Sequence, residues 1–277
     1  GIILRILGDL EGNVGIAGQL LHDIADGLDI IGAGCGAADL ITVRGVRLLG
    51  QADVIIYAGS LVNPELLVYA RPDCELHDSA RMTLEQVLDV IQAAEAAGKT
   101  TVRLHSGDSS IYGAVREQFD ALDRLGISFD VCPGVSALCG AAAALHTEYT
   151  LPDVSQTVIV TRTAGRTPVP ERESVRALAA HRSTMVLFLS ASLTEKLQAE
   201  LLEGGYPPQT PAAIVYKATW PDEKIIRCTV GTLHRAAVEN AISRTALIIV
   251  GDCMGERYLR SLLYHPAFTT GYREASQ

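Results

Sequence analysis

The chain has 277 residues, which is enough for one large domain or two domains of ordinary size. Its composition, 48% hydrophobic and 20% charged, is typical of a folded globular protein and argues against a disordered one. The formal net charge of −9 argues against a general nucleic-acid surface, because neutralising phosphates requires clustered lysine and arginine.

The sequence shows neither a membrane span nor an export signal. No apolar run reaches the roughly 18 residues that cross a bilayer, and the first residues lack the basic start of a secretory signal. The six cysteines form no CxxC pair and have no spacing to histidine that would suit a metal. These features predict a cytoplasmic protein without a metal, a nucleic-acid partner or a membrane partner.

The first half of the chain alternates between strand and helix patterns from Leu28 onward. Residues 1–27 differ from the rest and are interpreted as an N-terminal extension of unknown role. Strands are then predicted at "LDIIG", "ADVIIY", "TTVRL" and "ISFDVC". The helix that follows Thr83 begins with a capping box completed by Gln86. This alternation predicts an α/β domain over 28–148 with a mostly parallel sheet.

The alternation of strand and helix patterns is interrupted at 146–156, which we interpret as a linker before a second set of strands and helices. Strands are predicted at "TVIVTR", "TMVLFLS" and "RTALIIVG", with a helix from Ser192 whose capping box is completed by Glu195. "PAAIVYKA" and "EKIIRCTV" flank "TWPD", which predicts a hairpin with a Pro-Asp turn. A second α/β domain is therefore expected over 156–252, followed by a tail over 253–277.

Three of the strand-to-helix connections in the first domain carry glycine. They read "GAGCG" from Gly32, "HSGDSSIYG" from His105 and "CPGVS" from Cys132. The carboxyl ends of parallel strands meet at one edge of a sheet, and open α/β sheets bind their ligands there. The three loops therefore predict a small-molecule site, with a cleft between the two domains as its natural place.

These loops are poorly suited to a phosphate. Gly32, Gly34 and Gly36 miss the dinucleotide spacing GxGxxG by one residue, and the second strand ends at Gly59 without a ribose-binding acid. A P-loop would need Gly-Lys-Ser/Thr, which the sequence lacks. These departures argue against a nicotinamide-dependent dehydrogenase, which is kept only as an alternative. The glycines as simple turn residues are a second alternative.

Three single residues are each open to two interpretations. Asp108 follows Gly107 and could bind a ligand, but an acid in such a loop is often only a structural turn residue. Trp220 could fill the core or form a pocket wall beside the predicted turn. His105 could assist proton loss or be a satisfied structural histidine.

Several segments of the chain resemble the tetrapyrrole (corrin/porphyrin) methylase family. The resemblance runs from about Leu28 to Gly251 and rests on the segments "GAGCGAADLITVRG", "LHSGDSSIYGA", "CPGVSA", "TRTAGRTPVPE" and "VYKATWPDEKIIR". The last two are similar to the branch that methylates carbon 11 of precorrin-4 in cobalamin biosynthesis.

The resemblance implies a fold, a methyl donor and a substrate. The expected fold is two α/β domains, with a mostly parallel sheet in the first and a mixed sheet in the second. The expected methyl donor is S-adenosylmethionine, and the expected substrate is a tetrapyrrole bound beside it in the trough between the domains. A homodimer is implied as well. The same motifs leave open whether the substrate contains cobalt, and a related methylase with another position specificity or an RNA substrate is an alternative.

The resemblance also implies site residues. Those expected at the cofactor are Gly107, Asp108, Ile111, Tyr112, Gly113, Ser136, Ala137, Leu189 and Ala218. Those expected at the substrate are Cys35, Gly36, Ser60, Arg162, Arg166 and Lys217, the last three as partners for its carboxylates, with a solvated surface role as the alternative for each arginine. No general base is assigned, and His105 and Tyr112 are only weak candidates.

Two departures from the family pattern are visible. Cys35 stands where the first loop normally has proline, which frees φ and restores an N–H. Ser109 stands where many relatives have proline after Gly-Asp. The change at position 35 leaves a catalytically inactive binding module as a further alternative.

Overall fold

The computed structural model describes residues 27–276 and contains two five-stranded sheets, one in each half of the chain. The predicted extension lies outside the described residues, apart from Gly27. The strands of the first sheet are β1 (Leu28–Gly32), β2 (Val54–Tyr57), β3 (Glu75–Asp78), β4 (Thr101–His105) and β5 (Phe129–Cys132). Those of the second are β6 (Val158–Arg162), β7 (Thr184–Phe188), β8 (Pro211–Tyr216), β9 (Lys224–Thr229) and β10 (Ala246–Val250).

Helices cover the faces of both sheets. In the described part of the chain they are α1 (Val43–Leu49), α2 (Leu84–Ala96), α3 (Arg116–Leu125), α4 (Ala137–Leu145), α5 (Val175–Ala179), α6 (Thr194–Glu203) and α7 (Leu233–Glu239). None of these helices is both long and apolar enough to cross a membrane.

The first sheet is parallel throughout and has the strand order β3-β2-β4-β1-β5. Both faces of the sheet are covered by apolar residues, although β4 in its middle places the buried polar residues Thr101, Arg103 and His105 on one face. Ile30 packs with residues of α2 and α3, whereas the next residue, Ile31, packs with residues of α1 on the opposite face. The expected parallel sheet is confirmed.

The second sheet is mixed, as expected, with the order β6-β7-β10-β8-β9. Only β6 and β7 run parallel, and the other neighbouring pairs are antiparallel. The predicted hairpin is present: β8 pairs with β9, and Tyr216 faces Lys224 across the "TWPD" turn. The strands of the two sheets fall within 28–132 and 158–250, and the domain boundaries at 148 and 156 stay predictions.

Helix α4 joins the two halves. It follows β5 of the first sheet, but its buried face packs on the second sheet. Ala141 and Leu145 lie against Val186, Val215 and Ile249 in one apolar cluster. Small side chains along the helix allow it to approach the sheet closely. This contact fixes the second half relative to the loops at the end of β5.

The two predicted helix starts had different outcomes. Thr83 and Gln86 form the predicted capping box at the start of α2, which is confirmed. The capping box of Ser192 and Glu195 is wrong. A 3₁₀ turn occupies Ala191–Leu193, so α6 begins only at Thr194 and has no side-chain cap. The turn moves Ser192 out of the capping position.

Asp29 on β1 is a carboxyl group that the fold disfavours in its charged form. Burial, together with the charge of Asp130 beside it on β5, raises the pKa of Asp29 to about 6, against the opposing effect of Arg44 and Arg47. An acid whose pKa is higher in the folded state stabilises the fold only while it is protonated. Its contribution is therefore complete below pH 4 and is lost as the pH rises to about 6.

We expect Asp29→Asn to raise the thermal midpoint at pH 8 by a few degrees, because no charge is then buried. The corresponding increase in the free energy of unfolding is on the order of 1 kcal/mol, once solvent screening of this half-buried group is allowed for. At pH 4 the two proteins are expected to unfold at nearly the same temperature. Asp130→Asn is the matched control and should give a smaller gain, since it removes only the secondary cause. Thermal unfolding between pH 4 and 8 measures this, and an effect of Asp29→Asn that is independent of pH would contradict it.

Candidate functional site

The three glycine loops lie side by side at one edge of the first sheet. They follow β4, β1 and β5, which are neighbours in the sheet, so their strands end next to one another. The loops after β1 and β4 are also paired directly. The Gly34 N–H donates to the Gly107 carbonyl at 3.2 Å, and the Gly107 N–H donates to the Gly34 carbonyl at 2.9 Å. The predicted convergence of the loops is therefore observed.

Asp108 connects the loop after β4 to the loop after β5. Its Oδ2 accepts from the backbone N–H of Gly134 at 2.8 Å, and its Oδ1 accepts from the N–H of Ser110 at 3.0 Å and from the Ser110 hydroxyl. Burial opposes the charged form, but these hydrogen bonds outweigh it and lower the pKa of Asp108. The carboxylate is ionised at neutral pH and its described contacts hold the loops together.

Gly134 is required by close packing. A Cβ on this residue would lie 2.2 Å from the carbonyl oxygen of Gly107 and 2.6 Å from the Cα of Gly32. Real side-chain carbons do not approach backbone atoms so closely, so the backbones of all three loops touch at this point. Gly134 is therefore needed for the close packing of the loops and is not only a turn residue.

The turn of the second-half hairpin closes over the first loop. The Ala37 N–H donates to the Thr219 hydroxyl at 3.0 Å. A Cβ on Gly36 would lie 2.4 Å from Cδ1 of Trp220, so the indole rests on bare backbone. Trp220 therefore forms a wall between the halves, as one of its two interpretations predicted.

A cavity of about 360 Å³ lies between these loops and the second half. Its volume is within the range of ordinary small-ligand pockets. The first half contributes Gly34, Cys35, Leu61, Ser106, Gly107, Asp108, Ile111, Tyr112, Ser136 and Ala137 to its lining. The second half contributes Phe188, Leu189, Ala191, Ser192, Lys217, Ala218, Trp220 and the segment 243–247.

Most residues predicted at the cofactor line this one cavity. They are Gly107, Asp108, Ile111, Tyr112, Ser136, Ala137, Leu189 and Ala218. Gly113 does not line it, but a Cβ at Gly113 would overlap the carbonyl oxygen of Ser109, so this glycine shapes the loop. The structure brings the residues together, and their role in binding stays a prediction.

The residues predicted at the substrate are more scattered. Cys35 and Lys217 line the cavity, whereas Gly36, Ser60, Arg162 and Arg166 do not. Arg162 donates to the carbonyl oxygens of Thr167 at 3.2 Å and Pro168 at 2.8 Å, so its guanidinium supports the 163–170 loop.

Lys217 is engaged by its own hairpin. Its Nζ donates to Asp222 at 2.6 Å, which raises the pKa of the lysine. The ammonium also lies 5.4 Å from the centre of the Trp220 ring and 5.5 Å from that of Tyr216. The charge of Lys217 is therefore already compensated.

Neither weak candidate for a base is charged at neutral pH. Burial, followed by the charge of Arg103, lowers the pKa of His105 to about 4, and this side chain lies outside the cavity lining. Tyr112 lines the cavity with its ring 5.4 Å from that of Phe188, and burial raises the pKa of its phenol. The cavity offers no strong side-chain base at these positions.

Backbone strain concentrates around the cavity. Tyr112, Leu189, Lys217 and Thr245 all line it and have positive φ angles of 54°, 51°, 46° and 54°. Residues with side chains adopt this region only at a cost, and such residues cluster at functional sites. The surrounding contacts hold four loops in set positions around one space.

Five lining residues at the start of β10 were not among the residues predicted from the sequence. These are Ser243, Arg244, Thr245, Ala246 and Leu247. The reason is strand direction: β10 is antiparallel to β8, so the beginning of β10 lies next to the end of β8, where Ala246 faces Tyr216. An antiparallel neighbour at this edge is the signal that would have indicated the segment.

The family model for Tetrapyrrole (Corrin/Porphyrin) Methylases matches residues 28–234. The chain therefore belongs to the tetrapyrrole methylase family.

Two curated relatives are similar over most of the chain. A cobalt-precorrin-4 C(11)-methyltransferase of Methanocaldococcus jannaschii is 50% identical over 89% of this chain and 95% of the relative. A precorrin-4 C(11)-methyltransferase of Mycobacterium tuberculosis is 46% identical over 86% of this chain and 95% of the relative.

Solved structures agree with this assignment. The X-ray structure of a cobalt precorrin-4 methyltransferase has a TM-score of 0.81 and 47% identity, covering 83% of this chain and 96% of that one. The uroporphyrin-III C-methyltransferase of Thermus thermophilus in complex with S-adenosylhomocysteine has a TM-score of 0.70 and 26% identity. The match covers 82% of this chain and 93% of that one. The expected fold class is confirmed.

We expect Gly134→Ala to destabilise the protein by about 1–3 kcal/mol, because the added methyl group has no room between Gly107 and Gly32. The same change should weaken S-adenosylhomocysteine binding, since the loops that line the cavity must separate. Gly50→Ala is the control, because a Cβ there would meet its nearest neighbour at an ordinary 3.5 Å. Urea unfolding and calorimetry measure both effects, and equal behaviour of the two variants would contradict the packing argument.

Proposed function

We propose that this chain transfers the methyl group of S-adenosylmethionine to carbon 11 of precorrin-4, a step of cobalamin biosynthesis. The observation that carries the proposal is the cavity between the halves, which Gly107, Ser136 and Ala218 line together. The names of the relatives support the reaction and its position.

The cavity residues suit a sulfonium-bearing nucleoside. The loops after β4 and β1 present backbone at close range, and the carboxylate of Asp108 is occupied by Ser110 and Gly134. Gly107, Asp108 and Ile111 would hold the methionine end, while Leu189 and Ala218 would approach the adenosine. The likeness to a structure in complex with S-adenosylhomocysteine supports the choice of cofactor.

The rim of the cavity suits the face of a macrocycle. Leu61, Tyr112 and Leu189 line the cavity and are 49%, 45% and 65% exposed. Large apolar side chains left in water beside a pocket are typical of a binding surface. The ring system of a tetrapyrrole would cover them next to the methyl donor.

The chemistry places few demands on side chains. A nucleophilic ring carbon attacks the methyl carbon, which positive sulfur already activates, in line with the sulfur–methyl bond. That bond breaks as the new carbon–carbon bond forms, S-adenosylhomocysteine leaves as a neutral thioether, and the positive charge passes to the ring system. The protein must align the two reactants and exclude water, which rigid backbone loops can do. This agrees with the uncharged states of His105 and Tyr112 at neutral pH.

The cobalt-containing substrate is a second candidate. It is favoured by the 50% identity to the cobalt-precorrin-4 enzyme and by the structural likeness to another protein of that name. The proposal also includes a homodimer in the cytoplasm that needs no metal of its own, no nucleic acid and no membrane. Exposed apolar side chains of the tail, among them Tyr258, Leu259 and Leu262, offer surface for the second copy.

Binding and turnover test the proposal separately. Calorimetry should detect binding of S-adenosylhomocysteine with a dissociation constant in about the micromolar range, as for ordinary cofactor pockets. It should detect no binding of NAD. Mass spectrometry of the product from precorrin-4 and from cobalt-precorrin-4 should show one added methyl group, located on carbon 11 by NMR.

Each negative result has a distinct meaning. Binding of NAD without S-adenosylhomocysteine would favour a dehydrogenase. A methyl group at another position would assign a different methylase of the family. Binding without any turnover would indicate a catalytically inactive binding module, the alternative suggested by Cys35 in place of proline.

A further inference from the structure

Within residues 27–276, three charged side chains line the cavity, and two of them already have partners in the protein. They are Asp108, Lys217 and Arg244. Asp108 accepts hydrogen bonds from Gly134 and Ser110, and Lys217 pairs with Asp222 at 2.6 Å. Arg244 is exposed and has no hydrogen bond or ion pair with any of the residues 27–276. The cavity therefore has one cation whose charge its described surroundings do not compensate.

The backbone that carries Arg244 is held in place. The next residue, Thr245, has a φ of 54° and accepts a 2.9 Å hydrogen bond at its carbonyl from the Lys217 N–H. Ala246 is then paired with Tyr216 in the sheet. A free guanidinium on a fixed backbone at the edge of a cavity is suited to bind an anion from solution.

The position of Arg244 indicates which reactant supplies this anion. The hydrogen bond from Lys217 to Thr245 connects its segment to the strand end that carries Ala218, where the adenosine is expected. An adenosine has no negative charge, and the carboxylate of the methionine end is expected at Gly107 on the opposite half. The cofactor therefore offers no anion here, whereas the substrate has carboxylate side chains around its ring.

We propose that Arg244 binds a peripheral carboxylate of the tetrapyrrole and so restricts the rotation of the macrocycle relative to the methyl donor. This inference rests on the proposed function, because it takes the substrate from it. A planar macrocycle can lie on the apolar rim in several rotations, and each would bring a different ring carbon to the donor. A charged contact at the edge favours the rotations that bring a carboxylate to the guanidinium. Arg244 is thus a residue for substrate binding and positional specificity.

The test compares Arg244→Gln with Arg244→Lys and with Arg235→Gln. Arg235 on α7 is an exposed arginine outside the cavity lining and serves as the control. We expect Arg244→Gln to raise the KM for precorrin-4 about ten-fold, as for the loss of one charge-assisted hydrogen bond. The lysine variant should recover part of this loss, because it keeps the charge without the planar fork.

A second measurement does not depend on turnover. Uroporphyrin III, a stable tetrapyrrole polycarboxylate, and its methyl ester are titrated against each protein by fluorescence quenching. Arg244→Gln should weaken binding of the acid and leave binding of the ester unchanged, because only the acid offers carboxylates to the guanidinium. Arg235→Gln should change neither affinity.

The outcomes separate this proposal from the proposed function. If Arg244→Gln weakens binding of S-adenosylhomocysteine as much as binding of the tetrapyrrole, the arginine binds the cofactor and the proposal is overturned. An unchanged KM and an unchanged affinity for uroporphyrin III would also overturn it. If the unmodified protein neither binds S-adenosylhomocysteine nor methylates precorrin-4, the proposed function fails, and the porphyrin titration still decides whether Arg244 recognises a carboxylate.

Discussion

The site depends on the contact of three backbone loops at the carboxyl edge of the parallel sheet. Gly34 and Gly107 exchange backbone hydrogen bonds, and Asp108 reaches across to the N–H of Gly134. Because a methyl group would not fit at Gly134, the loops meet with no side chain between them. A surface made in this way presents backbone groups to a ligand from positions that the neighbouring loops hold.

The second half completes the site through a few specific contacts. Helix α4 begins directly after the third loop and packs on the second sheet, so the two halves share an apolar cluster at their junction. The hairpin turn then lies over the first loop, with Thr219 bonded to Ala37 and Trp220 against Gly36. Loops that are far apart in the chain thereby enclose one cavity.

Charge in this cavity is distributed unevenly. Asp108 and Lys217 each satisfy their charge within the protein, so their described contacts are structural. Arg244, which has no hydrogen bond or ion pair within residues 27–276, lies just before β10, on the half opposite the Gly107 loop. The overall negative charge of the chain therefore says little about the site, because the local sign at the rim is positive.

The sequence by itself determined the elements, the parallel first sheet, the hairpin and the three glycine loops, because apolar periodicity, capping residues and glycine act over a few neighbouring residues. Only the tertiary structure decided which side chains face the cavity. Arg162 lies in a motif, yet its guanidinium donates to carbonyl oxygens of its own loop. Arg244 lies outside the predicted site residues but lines the cavity. The reason is that strand pairing sets these positions: the antiparallel pairing of β10 with β8 brings together residues about 30 positions apart, which no local pattern records.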